Sequence, residues 1–175
     1  MPEIADPTRP PEDLNWRPDA PAKEFLLGRG QIEQVEPHSE HARTLLAEAR
    51  RHLSSASLLA TTDDQSAAFV TAYDAARKAL AAVLAVQGLR ARGGDGGHRV
   101  LGELVQAQIP DRRRTLREFD WMRQKRNDTE YPDFERPTAA RRDVDDGILA
   151  ARAIVDLAEQ FVEAVAGPAG RAGTS

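Results

Sequence analysis

Apolar residues recur at alternating intervals of three and four along most of this chain, which is the period of an amphipathic α-helix. The longest run lies near the end: Val144, Ile148, Ala151, Val155, Ala158, Val162 and Val165. Shorter runs begin after Ser39, which is a good N-cap, and near Asp64. Only 5% of the residues are aromatic, and no stretch shows strand alternation of useful length. The sequence therefore predicts an all-α fold, an up-down bundle of four to five helices with short connections.

Prolines and glycines divide the chain into three parts. Seven of the eleven prolines lie in the first 37 residues, and proline interrupts helices. Residues 1–36 are therefore predicted to form a proline-rich arm, with room for a short helix that packs on the domain or on a partner. Residues 37–166 are predicted to form the bundle. Residues 167–175 have nothing to bury and are expected to be disordered.

Composition narrows the function classes. The chain has no cysteine, and no apolar run is long enough for a signal peptide or a membrane span. We therefore expect a cytoplasmic protein that does not enter a membrane. A formal net charge of −4 argues against a protein coated in nucleic acid. A basic cluster is nevertheless present, and it is either a binding patch or an ordinary solvated helix face: Arg112, Arg113, Arg114, Arg117, Arg123, Lys125 and Arg126.

Two further motifs carry little chemistry. His38 and His41 are three residues apart, but no third ligand is nearby, so we predict neither a metal site nor a cofactor. The segment GGDGGHR lacks the Lys-Ser/Thr pair of a phosphate loop and is predicted to be a flexible turn before a helix that starts at His98. His98 is most simply a cap or first-turn residue. It is also a secondary candidate for an active groove, because flexible loops often carry function.

The segment MRQKRNDTEYPD, residues 122–133, is the strongest candidate site. Leu116 and Phe119 mark the inward face of the helix that carries it. Continued at the same spacing of three or four residues, this face reaches polar residues at Arg123, Arg126 and Glu130. Burying two arginines is costly unless carboxylates or a bound anion compensate the charge. This spacing favours an anion site, with Glu130 as a possible partner of Arg126.

A structural explanation of the same segment remains open. Arg126 would then form an interhelix salt bridge, Tyr131 would cap the helix and Pro132 would stop it.

The segments YDAARKALAAVLAVQGLRARGGDGGHRVL and RNDTEYP resemble the HEPN superfamily of small prokaryotic helical proteins, particularly its toxin-like members. The resemblance covers residues 37–166. It implies a bundle that forms a homodimer, with two polar motifs meeting in a cleft at the interface. Active members carry an arginine, usually followed by Asn, Asp or His, and a histidine slightly more than one helical turn later. They cleave RNA without a metal.

The resemblance assigns roles to individual residues. Arg126 and Asn127 match the first half of the motif, so Arg126 would hold the phosphate and Asn127 would orient it. Tyr131 stands at the position of the histidine. An unperturbed tyrosine has a pKa of about 10 and is a poor base at neutral pH, although a phenol can donate a proton or a hydrogen bond to a phosphate. Arg123 and Lys125 would grip the RNA backbone, with His98 nearby.

Two hypotheses follow from the resemblance. In the first, the chain is the metal-independent ribonuclease toxin of a toxin–antitoxin system, neutralised by a nucleotidyltransferase or another small antitoxin. In the second, it is a catalytically inactive HEPN-like module that binds a nucleotide, RNA or a protein and serves as a partner in a complex. The intact Arg-Asn pair favours the first hypothesis, and the missing histidine favours the second.

Overall fold

The computed structural model describes residues 14–93, 95–135 and 138–167. Within these ranges the regular elements, in chain order, are α1 (Pro21–Gly28), β1 (Ile32–Gln34), α2 (Ser39–Leu59), α3 (Gln65–Val86), β2 (Leu89–Ala91), α4 (Asp95–Gln108), α5 (Arg113–Glu130) and α6 (Arg141–Ala166). A short 3-10 turn, Pro110–Arg112, joins α4 to α5. The predicted all-α bundle is confirmed. Apart from Gly167, the predicted disordered tail lies outside the described residues, as does most of the proline-rich start of the arm.

Helix α3 lies at the centre and packs against α2, α4, α5 and α6. Six of its nine alanines are completely buried, so neighbouring helices approach its backbone closely. On α6, the predicted three-four stripe does face the core, with five of its seven members buried and Ile148 and Val165 half-buried. At Gly147 a Cβ atom would lie 2.9 Å from the ring of Phe69, which shows how tightly α3 and α6 pack.

The helix starts differ from prediction in two places. His38, rather than Ser39, caps α2, because its Nδ1 accepts a hydrogen bond from the backbone N–H of His41 at 3.0 Å. The pair of histidines thus has a structural role. Among the described residues no group of three or more His, Cys, Asp or Glu side chains is placed to hold a metal ion.

Helix α4 begins at Asp95, three residues before the predicted start at His98. It therefore includes Gly96 and Gly97 of the glycine-rich segment, which was predicted to be a turn throughout. A Cβ atom at Gly97 would lie 2.4 Å from the backbone oxygen of Arg92. Here glycine permits a close backbone contact inside a helix rather than breaking the helix.

Two short strands were not predicted. Strands β1 and β2 pair antiparallel, with Ile32 opposite Ala91 and Gln34 opposite Leu89. Each strand has only three residues, too few for a period of two to be recognised. The arm therefore contains the strand Ile32–Gln34 in addition to the short helix α1.

The described part of the arm packs on the bundle. Leu14 and Leu26 are buried, and the ring of Trp16 meets that of Phe161 of α6 edge-on at 5.1 Å. The backbone N–H of Arg17 donates to the oxygen of Gln108 at 2.7 Å. The arm thus covers the ends of α4 and α6.

None of the helices in the described ranges is long and apolar enough to span a membrane.

Candidate functional site

Helix α5 buries a line of residues that differs by one position from the predicted one. Met122 and Thr129 are buried, whereas the predicted Arg123 lies half-buried at the edge of the buried face and Glu130 is exposed. An α-helix has 3.6 residues per turn, so successive inward-facing residues can be either three or four positions apart. The predicted line can therefore be wrong by one residue. The oxygen of Thr129 accepts a hydrogen bond from the N–H of Ala139 at 3.0 Å, which fixes the chain after α5.

The two arginines at this edge are nevertheless largely covered. The side chains of Arg123 and Arg126 are 21% and 24% exposed. Arg126 pairs with Glu130 at 2.7 Å, as their spacing predicts, and also donates to the side-chain oxygen of Asn127. Arg123 pairs with Asp120 at 2.9 Å. Both guanidinium groups are therefore held against their own helix, close to the core.

Tyr73 of α3 lies beside these arginines and is completely buried. Its ring stacks on Phe119 at 5.4 Å, and the guanidinium carbon of Arg126 lies 6.0 Å from the ring centre. Its hydroxyl is hydrogen-bonded to Nδ1 of His98 on α4 at 2.9 Å. Residues from α3, α4 and α5 thus converge around one phenol.

Burial and nearby charges act in opposite directions on the pKa of Tyr73. Burial raises the pKa of Tyr73 to about 12, and the positive charges of Arg77, Arg126 and Arg123 act in the opposite direction. The phenol is therefore neutral at physiological pH and can donate or accept a hydrogen bond. We call Tyr73, Arg77, His98, Arg123 and Arg126 the arginine–tyrosine cluster.

The other predicted site residues lie elsewhere. Lys125 forms an ion pair with Asp143 of α6 at 3.2 Å and so faces α6. Asn127 is exposed but touches Arg126 through its side-chain oxygen. Tyr131 ends α5, and its side chain is 78% exposed. The structure therefore brings Arg123, Arg126 and His98 together, with Asn127 at the margin, and leaves Lys125 and Tyr131 outside the cluster.

Sequence reasoning missed two members of the cluster, Tyr73 and Arg77. Tyr73 lies on the apolar face of α3, and its ring is in the core. Its hydroxyl, however, needs a polar partner when buried. The spacing of four residues between Tyr73 and Arg77 puts both on one face of α3, and this was the available signal.

A basic groove adjoins the cluster between α4 and α5. It has a volume of about 780 Å³, and its wall includes four arginines, Arg99, Arg113, Arg117 and Arg123. Arg99 pairs with Glu103, and Arg123 with Asp120. Arg113 and Arg117 form no ion pair with any described residue, so this half of the groove is positively charged.

Comparison with known proteins gives one match. The family model described as HEPN domain matches residues 42–161, a segment from α2 to α6 that includes every member of the cluster. No curated protein and no solved structure matches the chain. Because the matched segment covers well over half of the residues, the chain belongs to the HEPN domain family.

Proposed function

We propose that this HEPN domain is a metal-independent endoribonuclease and that the arginine–tyrosine cluster is its active site. The observation that carries the proposal is the convergence of Arg126, Tyr73 and His98 from three helices. A largely covered guanidinium binds a phosphodiester more strongly than an exposed one, because less water competes for its N–H groups. An imidazole beside it is the side chain most often used to move protons.

The proposed reaction transfers the phosphoryl group from the 5′-oxygen of one nucleotide to the 2′-oxygen of its neighbour in the RNA chain. The 2′-oxygen forms a bond to the adjacent phosphorus while the bond from phosphorus to the 5′-oxygen breaks. The products are a 2′,3′-cyclic phosphate and a 5′-hydroxyl. The proton of the 2′-hydroxyl leaves as the oxygen attacks, and the departing 5′-oxygen gains one. We assign proton transfer to His98 and stabilisation of the charge on the phosphoryl oxygens to Arg126 and Arg123.

In this proposal Tyr73 is a positioning residue. Its hydrogen bond orients the ring of His98, and it is itself fixed between Phe119 and Arg126. His98 thus supplies the imidazole that the RNDTEY motif lacks. Asn127, which touches Arg126 at the margin of the cluster, orients the phosphate.

A second candidate function has its own support. Tyr131 occupies the position of the motif histidine, yet its side chain is 78% exposed and lies outside the cluster. This placement favours an inactive HEPN-like module that binds RNA, a nucleotide or a protein through the same arginines.

We extend the proposal to the assembly. The chain would act as a homodimer in the cytoplasm of a prokaryote, as the toxin of a pair whose antitoxin is a nucleotidyltransferase or another small protein. The apolar side chains of Leu58, Phe134 and Leu149 are largely exposed and supply surface for such partners. Induced expression in a bacterial host should then arrest growth, and coexpression of the adjacent gene should relieve the arrest.

The direct test compares two neighbouring cations on α5. Arg126→Ala is expected to weaken binding of a fluorescein-labelled single-stranded RNA about tenfold, because a charge-assisted hydrogen bond to phosphate is lost. Lys125→Ala removes the same charge from the α6 side and is the matched control, with an expected change of less than about twofold. Fluorescence anisotropy at a fixed salt concentration measures both. Equal losses in the two variants would mean that RNA binding depends on overall charge, and the cluster would not be the site.

The basic groove gives a separate prediction. Arg113 and Arg117 lack carboxylate partners among the described residues, so we expect them to contact two backbone phosphates of RNA that extends from the cluster. In the double variant R113Q/R117Q, the slope of log binding constant against log salt should fall by about 1.4, because each phosphate contact on a single strand contributes about 0.7. An unchanged slope would show that RNA leaves the cluster in another direction.

A further inference from the structure

A second cavity lies on the other side of His98. It has a volume of about 530 Å³ and is lined by α2, α3, the start of α4, β2 and the connection from β1 to α2. Arg77 and His98 belong both to its wall and to the arginine–tyrosine cluster. The volume falls within the range of small-molecule sites, about 300–1,000 Å³.

The floor of this cavity is aliphatic. Leu45 of α2, Leu84 of α3, Leu89 of β2 and Leu101 of α4 all contribute to it. The described residues of the wall include no tyrosine, phenylalanine or tryptophan, whereas single-stranded RNA sites commonly stack bases on aromatic rings. An aliphatic floor instead favours the apolar body of a small organic molecule.

The rim of the cavity is positively charged. Among the described residues, three guanidinium groups line it, those of Arg77, Arg90 and Arg92, against one carboxylate, that of Glu36. The carboxylates that pair with these arginines are Asp74 and Glu33, and neither belongs to the wall. The contact from Arg92 to Glu33 is long, at 3.8 Å. Since each guanidinium has five N–H donors, the rim retains donors for an anion.

We propose that this cavity binds a small organic anion, with its apolar body on the leucine floor and its carboxylate, sulfonate or phosphate group against the arginine rim. The geometry requires both parts of the ligand. A cation of the same shape would meet three like charges, and a hydrophilic anion would leave the floor unfilled. The inference stands whether or not the neighbouring cluster cleaves RNA.

The test uses 8-anilinonaphthalene-1-sulfonate, a fluorescent probe with an apolar body and one negative charge, on the full chain. We expect saturable binding at one site and displacement by octanoate, but not by octylamine, which has the same chain length and the opposite charge. Ala81→Phe places a ring in the cavity and should lower the affinity for the probe at least tenfold. Arg92→Gln should lower the affinity for octanoate about threefold to tenfold. Arg152→Gln, an exposed arginine on α6 away from the cavity, is the matched control and should change neither.

Circular dichroism melts show whether each variant is folded. If Ala81→Phe does not fold, Arg92→Gln still decides the question, because Arg92 is largely exposed on the rim. Equal displacement by octanoate and octylamine would overturn the proposal, as would unchanged binding in folded Ala81→Phe. Displacement by a short RNA but not by octanoate would overturn it too, and would assign the cavity to the nucleic acid.

Discussion

Replacing His98 with glutamine is expected to lower the rate of RNA cleavage at least about a hundredfold, which is the lower end of the effect of removing a general acid or base. Glutamine retains a polar group that can bond to Tyr73, so the fold and the affinity for RNA should change little. Single-turnover cleavage of a labelled RNA, with binding followed by anisotropy, separates the chemical step from binding. The expected result is a large loss of rate with less than about a twofold change in affinity.

The control for this variant is His41→Gln, which removes an exposed histidine of α2 that lies outside the cluster. It should cleave at the wild-type rate. Tyr73→Phe keeps the stacked ring but removes the hydrogen bond that orients His98, so we expect a smaller loss of about tenfold. Full activity of His98→Gln would exclude His98 from the chemistry. If wild-type protein leaves RNA intact while Arg126→Ala still loses affinity, the inactive binding module is the correct function.

The fold was predictable where the signal is local and repeated. The apolar stripe on α6 runs through seven positions. If one position were assigned wrongly by one residue, the spacing of the other six would reveal the error. On α5 the inward stripe is short and passes into polar residues, and the choice between Met122 and Arg123 could not be made from spacing alone. Packing decided it, because a thioether loses less than a guanidinium when it leaves water. The β pair depends on contacts between residues almost sixty positions apart, and three-residue strands leave no periodic signal.

In the candidate site, too, contacts within one helix could be predicted and contacts between helices could not. The pair of Arg126 and Glu130 follows from a spacing of four on one helix. The contact between Tyr73 and His98 joins two helices across 25 residues and has no local signature. A buried tyrosine in an apolar stripe only indicates that some partner must reach its hydroxyl. Which residue does so depends on where α4 starts, and that start was predicted three residues late.

Gly88→Ala should destabilise the protein by about 2–4 kcal/mol, from the sum of backbone strain and overpacking. Gly88 follows α3 with a φ angle of +72°, which favours glycine. An added Cβ would also lie 2.6 Å from the backbone oxygen of Val35. That contact is between two backbones, so neither atom can move aside as a side chain would. Thermal melts followed by circular dichroism should show a fall in Tm of about 5–15 °C for a chain of this size.

Gly28→Ala is the matched control for this prediction. Gly28 is the last residue of α1, its φ is not positive, and nothing lies within 4 Å of an added Cβ. Here alanine should leave stability unchanged or raise it by up to about 1 kcal/mol, because it restricts the unfolded chain. The difference in stability between the two variants measures the effect of the close contact between the β1–α2 connection and the end of α3. The same connection forms part of the wall of the cavity beside His98. If the two variants melt within about 2 °C of each other, this backbone contact does not determine the stability of the fold.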